Sequence, residues 1–191
     1  VRTRATAMSA DDRRRALVDV TLPLLLEHGR TVTTRQIAEA AGVAEGTIFR
    51  VFESKDDLVQ ATLDRAFDIE PFLEDLRRID PDQPLRALVT EMVTLLQSRF
   101  RGIFTLMTAV GMVGPPKGRS HEHHPREEAA RVMADLLAPH ADEVRVPVAQ
   151  LVHVTRLLTF SGSHPHLSDG RILTAEEIVS TVLDGLLTKG D

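Results

Sequence analysis

The chain has 191 residues, no cysteine, no tryptophan, no tyrosine and a formal net charge of −5. That length buries a sizeable core in one large or two small domains, and the missing cysteine excludes a disulfide framework and a thiolate zinc site. No apolar run of signal-peptide character opens the chain, and no stretch approaches about 18 uninterrupted apolar residues, so the expected location is cytoplasmic, with no membrane partner.

In chain order, the first predicted helix runs from about Ala10 to His28. Ala16, Leu17, Val20, Leu24 and Leu25 form its apolar face, and Gly29 stops it. Pro23 removes one backbone hydrogen bond, which predicts a kink or a restart there. Arg13, Arg14 and Arg15 open this helix behind Arg2 and Arg4, placed to lie along phosphates or enter a minor groove. Residues 1–60 hold nine Lys/Arg and nine Asp/Glu, so the negative excess falls entirely on 61–191.

Thr33 and Gln36 fit a capping box, so a second helix begins at Thr34, with Ile37, Ala38 and Ala41 on one face. Gly42 can take the positive φ that ends it, and the small residues Ala38, Ala41 and Ala44 let two helices cross closely. A third helix is predicted at about Glu45–Phe52. Its Ile48 and Phe52 point to the core, leaving Glu45, Gly46, Thr47, Phe49 and Arg50 on or near the outer face. Ser54, three residues before Asp57, caps the next helix and sets Lys55 in its first turn, where a phosphate can sit beside helix N-terminal N–H groups. Two short helices broken at Gly42-Val43 are how a helix-turn-helix presents a helix to DNA.

These residues resemble the DNA-binding domain of the TetR family of bacterial transcriptional regulators. Thr33, Ile37, Ala38, Ala41, Gly42, Val43, Gly46, Thr47, Phe52, Ser54, Lys55 and Leu58 match the family pattern in register. The chain departs from it at Phe49, commonly Tyr, and at Val51, commonly His or Tyr; both changes remove groups that reach phosphates. Ala44 replaces the usual Ser, an N-cap loss of about 1 kcal/mol. By position, the resemblance implies phosphate contacts from Thr34, Thr47 and Lys55, and base-edge or groove contacts from Arg35, Glu45, Gly46, Phe49 and Arg50. Arg35 is the foremost specificity residue, since a guanidinium binds guanine O6 and N7 in a bidentate way. Phe49 suits a thymine methyl and Glu45 a cytosine N4, although Glu45 also reads as a helix-dipole carboxylate.

Beyond Leu58 the pattern turns to longer amphipathic helices, at about 55–70, 71–78, 84–101, 102–113, 126–138, 147–161 and 174–188. Breaks fall at Pro71, 81–84, 114–116, Pro139 and 163–170. The expected fold is all-α: an N-terminal three-helix domain with the helix-turn-helix, 1–54, followed by a helical ligand-binding and dimerisation domain, 55–191. Ile178, Val179, Val182, Leu183, Leu186 and Leu187 form a ladder on the last helix. On the helix before it, Val148, Leu151, Val152, Val154, Leu157 and Leu158 cover more than half of the circumference, more than a monomer core needs. Leu151, Val154, Leu158, Ile178, Val182 and Leu186 are therefore candidate homodimer residues, in a four-helix bundle that the resemblance also implies. Such a dimer favours a near-palindromic operator in double-stranded DNA.

Met92, Leu96, Phe100, Phe104, Met107, Met133 and Phe160 are adaptable side chains suited to a pocket for a small apolar ligand. Met112 and Leu137 share that character. At helical spacing such a stripe also reads as plain core, and only the resemblance turns the domain towards ligand binding. Arg99, Thr108, His153, Arg156 and Thr159 are polar groups that can orient a ligand. His121, His123 and His124 cluster with Glu122, but in a Gly/Pro-rich loop without i, i+4 geometry they read as a surface loop, so no metal or other cofactor is expected. No nucleophile elbow, phosphate loop or dinucleotide fingerprint is present, and Ser163 beside His164 lacks an oxyanion site, so no enzyme is expected. The resulting reading is a dimeric repressor released from its operator by a ligand that moves the helix starting near Ser54. The alternative is a helical ligand- or metal-binding protein with a decayed DNA reader.

Overall fold

The computed structural model describes residues 9–112 and 125–186, and these form α-helices and short 3₁₀-helices with no β-strand among them. The helices are α1 Ala10–His28, α2 Thr34–Ala41, α3 Lys55–Ala66, α4 Glu70–Arg77, α5 Leu85–Ala109, α6 Pro125–Leu137, α7 Val148–Ser163 and α8 Ala175–Leu183. The all-α expectation holds. Two compact units result, one of 9–68 with 105–112, the other of 69–104 with 125–186. This differs from the expected division at 54/55, because α3 packs along α1 and completes the first unit.

In the first unit, the Ser9 hydroxyl accepts the Asp12 N–H at 3.0 Å and starts α1, with Asp11 and Asp12 favourably placed in the first turn. The helix continues through Pro23 without restarting. Pro23 and Asp19, four residues earlier, both lie on the exposed side, where water can serve the carbonyl that loses its N–H partner. Leu17, Val18, Thr21 and Leu25 are the buried positions, so the buried face is turned slightly from the expected one. Thr21 is tolerated there because its hydroxyl donates to the Leu17 carbonyl at 2.7 Å. Leu17 and Leu25 share the unit's buried set with Ile37 of α2 and with Leu58 and Leu63 of α3.

The second unit gathers Leu73 and Leu76 of α4, Leu88, Met92 and Val93 of α5, Met133 and Leu137 of α6, Leu151 of α7 and Ile178 of α8 into one apolar cluster. Helix α5 corrects the expectation of two helices at 84–101 and 102–113: it runs unbroken for 25 residues through Gly102. A glycine inside a helix costs about 1 kcal/mol and does not by itself end it; Gly111, with φ +66, lies in the turn after the helix. Pro71 falls at the start of α4, where a missing N–H is harmless, so that helix begins at Glu70. Helix α8 is shorter than expected, ending at Leu183 ahead of Gly185 with φ +82, and Leu186 lies beyond it with 85 % of its surface exposed. Leu187 and the histidines at 121, 123 and 124 lie outside the described residues, as do Arg2 and Arg4.

A 3₁₀ segment, Ala138–Glu143, succeeds α6, and its His140 bridges two loops: Nδ1 meets Glu143 Oε1 at 2.5 Å and Nε2 meets the Pro81 carbonyl at 3.0 Å. Glu143 first, and the Pro81 carbonyl second, hold the imidazole above its ordinary pKa, because both favour the doubly protonated ring. A raised folded-state pKa gives a stabilisation that is complete below the unfolded value of 6.5 and fades as pH rises through the folded value. His140→Ala is therefore expected to lower the denaturant midpoint more at pH 6 than at pH 8, measured by urea unfolding of the two proteins at both pH values.

Candidate nucleic-acid interface

The outward surface of the first unit is built on capped helix ends. The Thr33 hydroxyl accepts the Gln36 N–H at 3.2 Å while Gln36 Oε1 accepts the Thr33 N–H at 2.8 Å, the reciprocal box expected of this pair. Gly42 takes the left-handed conformation, φ 65 and ψ 32, and the Val43 N–H returns to the Ala38 carbonyl at 3.0 Å to close α2. The next segment, Glu45–Arg50, is a 3₁₀-helix, where an α-helix over Glu45–Phe52 was expected. Ala44 supplies no cap, and the Thr47 and Val51 N–H groups bond three residues back, to Ala44 and Ile48 at 2.8 and 3.0 Å. A stretch this short, without a capping side chain, closes its end turns with i to i+3 bonds.

Ile48 is fully buried and Phe52 nearly so, which anchors this reading turn and turns its other side outward. Gly46, Phe49 and Arg50 are exposed there, Phe49 with 52 % of its surface, and Thr47 is half-buried. Arg35 projects from α2 and pairs with Glu39 at 3.0 Å, both side chains being largely exposed. An exposed pair of this kind contributes little and can be exchanged for a better acceptor. The Thr34 hydroxyl donates to the Glu45 carboxylate, joining the start of α2 to the start of the reading turn. Thr34 and Glu45 thus satisfy each other, and either must release the other to meet a phosphate or a base.

Lys55 departs further from expectation. Its Nζ donates to the carbonyls of Arg30 and Val32 at 3.2 and 3.1 Å, tying the start of α3 to the α1–α2 junction. Ser54 caps α3 as expected, accepting the Asp57 N–H at 3.1 Å. Arg14 is likewise occupied, with its guanidinium 4.3 Å from the centre of the Phe52 ring and an N–H 3.4 Å from the Val51 carbonyl. Two cations expected at phosphates are therefore already engaged within the unit.

Two long-range contacts of this unit went unrecognised in the sequence. Arg30 Nε donates to the Val110 carbonyl at 3.2 Å, and Gly29, with φ +57, lies so close to the Ala109 carbonyl oxygen that a Cβ would collide with it. Gly29 was legible as a helix stop, but a close approach across 80 residues leaves no local signal.

Residues 17–62 match the model of the family described as bacterial regulatory proteins, tetR family. Over this segment, about a quarter of the chain, it is similar to the DNA-binding domain of that family. It is 48% identical over 48 residues to an uncharacterized HTH-type transcriptional regulator, YvkB, of Bacillus subtilis (strain 168), covering 25% of each chain. It is 35% identical over 88 residues to the HTH-type transcriptional repressor KstR2 of Rhodococcus jostii (strain RHA1), covering 41% of this chain and 40% of that one. The chain thus spans a quarter to two fifths of these curated relatives in the matched regions. A tetR-family transcriptional regulator from Streptomyces coelicolor has the same fold, with a TM-score of 0.63 at 22% identity over 93% of this chain and 80% of that one. The relatives are named as transcriptional regulators.

The second unit distributes the expected ligand residues unevenly. Met92, Leu96 and Met133 are packed into the core with at most 2 % of their surface exposed, so no ligand reaches them without repacking. Phe100, Phe104 and Phe160 do meet, Phe160 standing edge-on to the other two at 5.3 and 5.1 Å, with the His164 ring 4.5 Å from Phe104. Met107 falls in the first unit. Among the expected interface residues Leu151 and Ile178 are buried, Leu158 and Val182 are half-buried, and Val154 is 44 % exposed on α7 beside Leu157 at 56 %. Of the polar candidates, Thr159 donates to the Thr155 carbonyl at 2.7 Å, and burial first, then Arg126, holds the Arg156 guanidinium below its ordinary pKa. Among the described residues no group of three His, Asp or Glu is placed to hold a metal, and no helix is long and apolar enough to cross a membrane.

Gly29→Ala is expected to lower the melting temperature by several degrees, since it adds both the collision and a left-handed conformation worth about 1 kcal/mol or more. Gly46→Ala has open space and no positive φ, and should leave stability within about 0.5 kcal/mol of wild type, both variants being measured by scanning calorimetry.

Proposed function

We propose that the chain is a homodimeric, ligand-responsive transcriptional regulator that represses by holding a near-palindromic operator, acting in the cytoplasm without catalysis. The observation that carries this reading is the reading turn: Ile48 and Phe52 are sunk into the core while Gly46, Phe49 and Arg50 face outward beside Arg35. Gly46 lets the backbone come close to a groove wall, Phe49 offers apolar surface to a thymine methyl, and Arg35 and Arg50 offer guanidinium forks to guanine edges or phosphates. Repression takes its support from the named activity of the R. jostii relative.

Pairing of two copies rests on the exposed apolar ridge of α7, where Val154, Leu157 and Phe160 succeed one another at helical spacing. With Leu158 and Val182 half-buried nearby, the ridge offers a two-fold partner a self-complementary surface. Release then requires a small-molecule effector that favours the geometry unable to span both half-sites, because equal affinity for the two geometries shifts nothing.

The decayed-reader alternative draws on specific observations of its own. Phe49 and Val51 lack the polar groups common in the family, and Thr34 and Lys55 are engaged within the protein. Genomic selection of bound fragments, followed by salt titration on a recovered site and its scrambled control, separates the readings. A regulator gives a large specific-to-scrambled ratio; a decayed reader binds neither or both alike.

On the recovered site Arg35→Ala is expected to cost about 1–3 kcal/mol and to relax preference at one base pair, whereas Arg50→Ala should weaken binding across sequences and flatten the salt slope by about one. Both effects are read by fluorescence anisotropy at several salt concentrations. Leu157→Glu is expected to shift the protein from dimer to monomer at micromolar concentration, measured by light scattering after gel filtration.

A further inference from the structure

The second unit holds a groove of about 620 Å³ whose walls are α5 and the chain leading into α8. Helix α5 contributes Thr94, Gln97, Ser98 and Arg101, successive positions of one hydrophilic stripe, and the opposite wall presents Ile172 and Leu173. The size lies in the range of small-molecule sites. None of the Met and Phe positions expected to bind a ligand lines it.

The walls are built before any occupant arrives. The Leu173 N–H donates to the Gly162 carbonyl at 2.9 Å, and Gln97 Nε2 donates to the Leu173 carbonyl at 2.8 Å from a side chain whose residue is only 3 % exposed. Gly162 leaves room for this approach: a Cβ there would stand 2.9 Å from Leu173 Cδ1, and the leucine side chain would have to shift. Thr174 and Glu177 form a second reciprocal cap, which holds the exit of the segment into α8.

The polar groups are unequally occupied. The Thr94 hydroxyl is engaged with the Thr90 carbonyl at 2.8 Å, and Arg171, just before the Ile172 wall, is neutralised by Glu177 at 2.6 Å. Arg101 is exposed and has no carboxylate or other hydrogen-bond partner among the described residues, and the Ser98 hydroxyl one turn before it is likewise uncommitted. The groove thus has one uncompensated cation with a hydroxyl donor at one end and an apolar wall along its length. One guanidinium balances one negative charge, and Ile172, 36 % exposed, favours an apolar body beside it.

We infer that this groove binds a small amphipathic monocarboxylate, with the carboxylate on Arg101 and Ser98 and the apolar chain running past Leu173 and Ile172 towards Thr94. This deepens the effector reading of the second unit and rests on that reading for its regulatory meaning, while the binding itself does not depend on DNA. From Arg101 to Thr94 is seven residues of helix, about 10 Å, close to the length of an extended octanoate.

The test is isothermal titration of the full chain with sodium octanoate, and with octan-1-ol as the uncharged counterpart. Saturable binding of one octanoate per chain is expected, weakened at least about tenfold in Arg101→Gln and in the groove-filling Ser98→Trp. Arg145→Gln, an exposed arginine outside the groove, should leave it unchanged, and octan-1-ol should not respond to Arg101→Gln. Unfolding curves establish that each variant is folded, and Arg101→Gln decides alone if Ser98→Trp is not. Absence of saturable binding, or equal affinity in wild type and Arg101→Gln, overturns the inference. Operator titration is run separately: its failure alongside intact octanoate binding sinks the regulatory reading only, and the reverse sinks the groove only.

Discussion

The geometry of the reading surface depends on the ammonium of Lys55 reaching back to the carbonyls of Arg30 and Val32. Those carbonyls belong to the junction between α1 and α2, so one side chain fixes the start of α3 against the chain that enters α2. Arg30 extends the same node with its own guanidinium on the Val110 carbonyl, and Gly29 admits the neighbouring Ala109 carbonyl at a distance no other residue allows. A cation that satisfies buried or half-buried carbonyls is worth more than one left to water, because the alternative is unpaired acceptors. This unit is therefore held by hydrogen bonds to backbone as well as by its apolar core, and cations of the kind that suit phosphates are already engaged with its carbonyls.

Electrostatics sets the terms on which such a surface meets a polyanion. The chain is acidic overall, yet its first 60 residues are balanced, and Arg35 and Arg50 lie exposed on α2 and the reading turn. Glu39 and Glu45 sit on Arg35 and Thr34 respectively, two of the positions proposed to meet DNA. Under that proposal, carboxylates so placed would suppress indiscriminate attraction to phosphate and leave complementary base edges to displace them. The counterpart in the second unit is the opposite arrangement, an arginine with no acid beside it at the end of a groove, where a ligand can supply the missing charge.

How much of this was legible in the sequence divides by the range of the interaction involved. The capping box of Thr33 and Gln36, the left-handed Gly42, the Ser54 cap and the burial of Ile48 and Phe52 were all readable, because each depends on residues within one turn of one another. The 3₁₀ form of the reading turn was half-legible: the lost cap at Ala44 was visible, its consequence for the turn was not. Gly102 misled because a glycine looks the same locally whether it ends a helix or is carried within one, as it is on the exposed side of α5. Met92 and Met133 misled for a related reason, since an adaptable side chain suits a closed core as well as a pocket.

By itself, then, the sequence determined the all-α class, the bounds of α1 and α2, the start of α3 and the burial of Ile48 and Phe52, since periodicity, caps and turn residues act over a few positions. Tertiary structure alone decided which partner each of those side chains takes. Lys55 reached the carbonyls of Arg30 and Val32, Arg14 the Phe52 ring, Thr34 and Glu45 found each other, and Gln97 closed onto the Leu173 carbonyl to build a groove. Each of these joins residues far apart in the chain, and a hydrogen-bonding group takes the partner that folding brings within about 3 Å, which no local pattern specifies.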